Sequence, residues 1–186
     1  MRIISGKFKG KKILQPKDKN TRPLRDLVKE SIFNLIDHSN KFSCKIEKSN
    51  ILDLFSGTGS FGLECISRNA SKVTFVENYE NAIHVLKKNI SAIRAQKQTQ
   101  IIDYNCFDFI KRYGVFNEKF DVIFLDPPYK EEKINLLINT IKEKKILNER
   151  GILILHRHKK DNVKISDKLK ILDQRNYGIS KIIIGY

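Results

Sequence analysis

The chain is predicted to be an α/β protein. It reads as a mostly parallel sheet with crossover helices, an antiparallel hairpin at one edge, and a basic ribbon and helix in front. Three observations carry this. From Asn50 onward strand and helix patterns alternate, as they do where parallel strands are joined through helices. A glycine-rich turn, Asp53-Leu54-Phe55-Ser56-Gly57-Thr58-Gly59-Ser60-Phe61-Gly62, separates the first strand pattern from its helix. The apolar run Phe120–Leu125 stops at Asp126-Pro127-Pro128-Tyr129, where two prolines remove two backbone donors and must end a buried strand.

Residues 2–15 read as two short strands, Arg2–Ser5 and Lys11–Gln15, around a glycine-containing turn. Thr21-Arg22-Pro23 opens a helix, with Pro at its first position. Leu24, Leu27, Val28, Ile32, Leu35 and Ile36 form its apolar stripe, with Arg22, Arg25 and Lys29 off it, and the helix ends near His38. The polar, lysine-rich residues 39–49 read as a linker, so residues 1–49 form a basic extension packed on a main domain of residues 50–186. In that domain the expected strands are Ile51–Phe55, Lys72–Val76, Thr99–Asp103, Asp121–Leu125 and Gly151–Leu155. Helices are expected near Phe61–Arg68, Glu80–Arg94, Asp108–Tyr113 and Glu132–Lys145. Ala82, Leu86, Ile90 and Ile93 face inward on the second, and Ile134, Leu137, Ile138 and Ile141 on the fourth. Leu169–Asp173 and Lys181–Ile184, joined at Tyr177-Gly178, give the edge hairpin.

Composition narrows the function. No apolar run approaches the ~20 residues of a membrane span, and the first residues lack a signal-peptide core. Cys44, Cys65 and Cys106 form no metal-ligand or disulfide spacing, which suits a reducing cytoplasm; Cys65 reads as core. His156 and His158 share one side of a strand with no third ligand, so no metal is expected. The net charge of +15 points to a polyanionic partner, nucleic acid before membrane. The charge is localised: residues 1–30 hold ten Lys/Arg against three Asp/Glu, while residues 51–80 hold two against four.

The glycine turn lets backbone approach a ligand closely and aims helix N-terminal N–H groups at it. Glu77, at the end of the second strand, is placed to accept from both hydroxyls of a ribose. Gly57, Gly59 and Gly62 also satisfy a dinucleotide fingerprint, but Asp53 would repel a pyrophosphate. The same acid would welcome a cationic ligand such as the amino-acid end of S-adenosylmethionine (SAM). At the other corner, the Asp126 carboxylate, the Pro127 carbonyl and the Tyr129 ring suit a flat substrate carrying an amino group.

These features together resemble class I SAM-dependent methyltransferases with a Rossmann-like sheet. Met1-Arg2-Ile3-Ile4-Ser5-Gly6, Thr21-Arg22-Pro23 and Val28-Lys29-Glu30-Ser31-Ile32-Phe33-Asn34 narrow the resemblance to the RsmD family, bacterial 16S ribosomal RNA guanine-N2 methyltransferases. The resemblance covers nearly the whole chain. It implies a seven-stranded sheet, SAM as the cofactor without a metal, and action on small-subunit RNA, naked or within an assembling 30S particle; a monomer is expected. It implies that Asp53, Phe55, Gly57 and Gly59 cradle the methionine end of SAM and that Glu77 holds the ribose. Asn105-Cys106 would meet the adenine, where the family commonly has Asp-Ala; Asp108 is the alternative. His156, following the fifth strand where the family often carries an acid, is a second departure. Asp126, Pro127 and Tyr129 would be catalytic, and Lys7, Lys9, Lys11, Arg22 and Arg25 would bind RNA. Two other readings stay open: an adenine-N6 methyltransferase of DNA or RNA, and a non-catalytic RNA-binding module on the same fold.

Overall fold

The computed structural model describes residues 1–18, 24–114 and 118–186. Its centre is a seven-stranded sheet in the order β3-β2-β1-β4-β5-β7-β6. The strands are β1 (Asn50–Leu54), β2 (Lys72–Glu77), β3 (Thr99–Asp103), β4 (Phe120–Leu125), β5 (Leu147–His158), β6 (Ile171–Tyr177) and β7 (Ser180–Gly185). The first five pair in parallel, and β7 runs antiparallel to both β5 and β6. The strand order reverses between β1 and β4, which leaves a crevice at their carboxyl ends. Among the described residues no helix is long and apolar enough to cross a membrane.

The helices are α1 (Asp26–His38), α2 (Ser60–Ser67), α3 (Glu80–Ala92), α4 (Cys106–Arg112) and α5 (Ile134–Glu143). One face of the sheet packs with α1, α2 and α3, the other with α4 and α5. The predicted inward faces of α3 and α5 are buried, because side chains at helical spacing present one stripe to the sheet. Every residue of α2 is buried, since this helix lies between the sheet and the N-terminal extension. Phe61 of α2 stacks between Phe33 of α1 and Phe124 of β4, with ring centroids 5.2 and 4.1 Å away.

Several expectations are corrected. The N-terminal ribbon is shorter than expected: Arg2 bridges Lys12, with Ile3 N donating to the Lys11 carbonyl, Gly10 N to the Ile3 carbonyl and Ile13 N to the Met1 carbonyl. Main-body side chains take the donors that would extend the ladder. Glu64 of α2 accepts from Ile4 N and Ser5 N, Ser67 accepts from Phe8 N, and Asn89 of α3 accepts from Leu14 N. The segment is thus a strap across α2 and α3. It lies so close to α2 that a Cβ on Gly6 would sit 1.9 Å from the Ser67 carbonyl oxygen.

On α1, Leu27 is 67% exposed and Lys29 is fully buried, the reverse of the predicted stripe. The Lys29 ammonium donates to the Arg2 carbonyl at 2.7 Å and to Ser60 Oγ at 3.3 Å, and lies 3.7 Å from the buried Glu64 carboxylate. Those partners make burial of the cation tolerable, although burial still pulls its pKa below the ordinary lysine value. The expected linker is anchored as well, with Cys44, Ile46 and Ser49 buried. Thr21-Arg22-Pro23, the predicted start of α1, lies outside the described residues.

Finally, β5 is longer than predicted, and its ladder with β7 runs from Leu153 through His158. His156 is therefore inside the strand, paired with Ile182, rather than beyond its end. In the edge hairpin Tyr177 pairs with Ser180, so Gly178-Ile179 form the two-residue turn.

Candidate active site

Strand parity gathers the site. Ile51, Phe75, Phe124 and Ile154 point to the face shared with α2, so Asp53, Glu77, Asp126 and His156, each two residues on, project to that face at the carboxyl ends of β1, β2, β4 and β5. A cavity of about 520 Å³ opens over this edge. That volume is within the range of small-molecule sites.

The β1–β2 wall is made by backbone. Phe55, Gly57 and Gly59 all have left-handed φ, at 57°, 53° and 83°, which turns the chain sharply from β1 into α2. For Phe55 this conformation is strained, a feature that clusters at functional sites. Asp53 Oδ2 accepts from Gly62 N at 3.0 Å, and Glu77 accepts from Gly57 N at 2.7 Å, Asn78 N at 2.9 Å and Tyr79 N at 3.0 Å. Burial holds the Asp53 carboxyl well above the usual carboxylate range; the Gly62 donor opposes this, while Asp126 and Glu77 add to it. The strap closes the top of this wall, with Gln15 donating to Thr58 Oγ1 and Asn89 donating to the Thr58 carbonyl.

The β4–β5 wall is made by side chains. His156 Nδ1 lies 2.8 Å from Asp126 Oδ1, and its Nε2 lies 2.8 Å from Ser180 Oγ on β7. Arg157, also buried, donates to the carbonyls of Pro128 and Tyr129 at 3.2 and 3.1 Å and pairs with Asp161. The Tyr129 ring meets His158 edge-on at 4.9 Å.

Of the residues singled out from sequence, Asp53, Phe55, Gly57, Glu77, Asn105, Asp126, Pro127 and Tyr129 line this one cavity. Gly59, Cys106 and Asp108 are not in its lining. Gly59 lies under the loop, where an added Cβ would come 2.4 Å from Leu86 Cδ1, so its place is one of close packing. The Cys106 thiol faces Phe55 N and the Val76 carbonyl beneath the loop, and burial raises its pKa. Asn105 caps α4 by accepting from Phe107 N and Asp108 N. Lys7, Lys9, Lys11 and Arg25 are exposed, and Arg22 lies outside the described residues.

Sequence reasoning missed four contributors. Met1 and Phe107 line the cavity, Phe107 edge-on to Phe55 at 6.0 Å, and His156 backs Asp126. Ser56 is the fourth: it lines the cavity, and its buried hydroxyl has no hydrogen-bond partner among the described residues. Buried polar atoms are ordinarily satisfied, so this hydroxyl is set for a ligand. The orphaned hydroxyl, the aromatic pair and the acids fit a ligand with polar groups, a flat ring and positive charge, and SAM has all three. Among the described residues no group of three His, Cys, Asp or Glu is arranged to hold a metal ion.

This strand order, with an antiparallel seventh strand and a site at the β1–β4 switch point, defines the class I SAM-dependent methyltransferase fold. A solved Escherichia coli structure superposes with a TM-score of 0.82 at 23% identity, covering 100% of this chain and 96% of that one, a likeness of fold. A solved Haemophilus influenzae structure is 30% identical with a TM-score of 0.77, covering 99% and 96% of the two chains. Ribosomal RNA small subunit methyltransferase D of H. influenzae is 31% identical over 180 residues, 96% of this chain and 90% of that protein. The Bacillus subtilis protein YlbH is 32% identical over 185 residues, 99% and 97% of the two. Residues 1–186 match the family described as Conserved hypothetical protein 95, and the chain belongs to this family, the RsmD family.

Proposed function

We propose that the protein transfers a methyl group from SAM to the exocyclic N2 of a guanine in small-subunit ribosomal RNA. The observation that carries this reading is one cavity with two unlike walls. An acidic glycine turn with an orphaned Ser56 hydroxyl faces the Asp126-Pro127-Pro128-Tyr129 corner across it. The substrate class comes from relatives named as small-subunit ribosomal RNA methyltransferases, and the +15 charge suits it.

When bound, SAM supplies a methyl group already activated on a sulfonium. The chain has only to position and to neutralise. Asp53, Phe55, Ser56 and Gly57 hold the methionine end. Glu77 keeps a lone pair for a ribose hydroxyl beside the three backbone donors it already accepts, since a carboxylate offers about four acceptor sites. Phe55 and Phe107 would offer the adenine an aromatic wall, with Asn105 beside it. At the other wall the Asp126 carboxylate and the Pro127 carbonyl accept the N–H bonds of the guanine amine. That draws the nitrogen lone pair out of conjugation and stabilises charge developing on it. Tyr129 stacks on the base, flipped out of its helix or loop. Asp126 is the acceptor for the proton that the amine loses.

The extension of residues 1–49 then serves twice: its strap covers the cofactor wall, and Lys7, Lys9, Lys11 and Arg25 offer an exposed basic face to RNA. The reading takes the protein as a monomer. Transfer of labelled methyl from SAM to unmodified small-subunit particles and to naked RNA, followed by digestion to nucleosides, tests it with wild type and Asp126→Ala. Asp126-dependent N2-methylguanosine is expected. Label in N6-methyladenosine would replace the reading with the adenine-N6 alternative, and no label with tight RNA binding would leave only a binding module.

A further inference from the structure

We infer that His156, held by Ser180, is a positioning residue for Asp126, an inference that rests on the proposed methyl transfer at this corner. An ionised carboxylate can only accept, so at 2.8 Å His156 Nδ1 must carry the proton and donate it to Asp126 Oδ1. In the neutral ring Nε2 is then the acceptor, and the Ser180 hydroxyl 2.8 Å away donates to it. The chain Ser180 O–H to His156 to Asp126 thus selects one tautomer and one ring orientation. His156 is 2% exposed and Ser180 2%, so neither contact competes with bulk water. Both come from the β5–β7 ladder, which fixes their backbones against β4.

The need for such a donor follows from the task of this corner. An amine N–H requires an acceptor of fixed direction, and the His156 N–H fixes the plane of the Asp126 carboxylate. Among the described residues the glycine wall has no equivalent: Asp53 and Glu77 are held by backbone N–H groups.

Three variants test the arrangement, with SAM affinity and thermal unfolding measured alongside steady-state methyl transfer. His156→Phe keeps a flat ring and removes the donor; kcat should fall about 100-fold, the scale of a misplaced catalytic group, with SAM affinity unchanged. His156→Asn restores a donor near the Nδ1 position and should recover most of the loss. Ser180→Ala should cost less than His156→Phe and should weaken the tautomer preference. Independently of activity, the imidazole 15N shifts of His156 in the wild-type protein should report the Nδ1–H tautomer. The inference is overturned if those shifts report Nε2–H. It is overturned equally if folded His156→Phe keeps its kcat, or if His156→Asn is as impaired as His156→Phe. A wild-type protein that methylates no RNA would overturn the proposed function itself, a result separate from any difference among the variants.

Discussion

The β1–β2 wall of the cavity is held by backbone amides and tight packing, whereas buried side chains from β5 and β7 hold the β4–β5 wall. On the first side Gly62, Gly57, Asn78 and Tyr79 N–H groups fix Asp53 and Glu77, all within one strand–turn–helix unit or its neighbour. On the second, His156, Arg157 and Ser180 fix Asp126 and the two carbonyls after Pro127. A wall meant to grip a cofactor of constant shape can be made of main chain, which has few degrees of freedom to lose. Under the proposed function the second wall presents an acceptor of fixed orientation to a base, and that needs donors aimed from behind it. Binding and chemistry should therefore separate on mutation.

Asp126→Ala should give the largest effect, a loss of methyl transfer on the order of 1000-fold with SAM affinity retained. A parallel loss of SAM binding, read by calorimetry, would erase the distinction between the walls. Arg157→Leu should destabilise the protein by about 3 kcal/mol, because Asp161 is left half-buried without its guanidinium and two carbonyls lose a donor. Denaturant unfolding measures this, and below the unfolding range SAM should still bind. Gly59→Ala should act on the other wall, costing about 2 kcal/mol through left-handed strain and the clash with Leu86, and weakening SAM rather than RNA binding.

Asp53 supplies a pH test of the same wall. Its folded-state pKa is raised, so the native protein holds a proton that the unfolded chain releases above about pH 4. Wild-type stability therefore declines as pH climbs from there through the folded value. Asp53→Asn removes that decline, so its melting temperature should gain on wild type between pH 4 and neutrality while its SAM affinity falls. Equal pH profiles would contradict a buried, reluctantly ionised Asp53. The smallest effect is expected away from both walls. Lys7, Lys9 and Lys11 all changed to Glu should weaken RNA binding about tenfold at low salt and flatten its salt dependence. SAM affinity and stability should hold.

How much of this was legible beforehand depended on the distance over which each feature is specified. Asp53 through Gly62 and Asp126 through Tyr129 are contiguous strings whose backbone consequences are local, so the turn, the strand end and most of the cavity lining could be read directly. The inward faces of α3 and α5 followed from periodicity. Lys29 resisted such reading because charge argues for solvent, and only the carbonyl of Arg2 and the carboxylate of Glu64 make its burial possible. The same holds for His156 and Arg157. A histidine and an arginine after Leu155 look like the solvated end of a strand until Ser180, Asp126 and Asp161 are brought to them.

By itself the sequence determined the alternation of strands and helices, the two corners that face each other, the localisation of basic charge, and the family. Those properties reside in hydrophobic period, in the backbone limits of glycine and proline, and in formal charge, all set residue by residue. The tertiary structure alone decided which polar side chains are buried, that the N-terminal ribbon is strapped across α2 and α3, and that Asp126 is backed by His156. Each of those depends on whether a partner distant in sequence satisfies a buried donor or acceptor. Residues 156 and 126 stand 30 positions apart, and only the parallel register of β4 on β5 makes them neighbours.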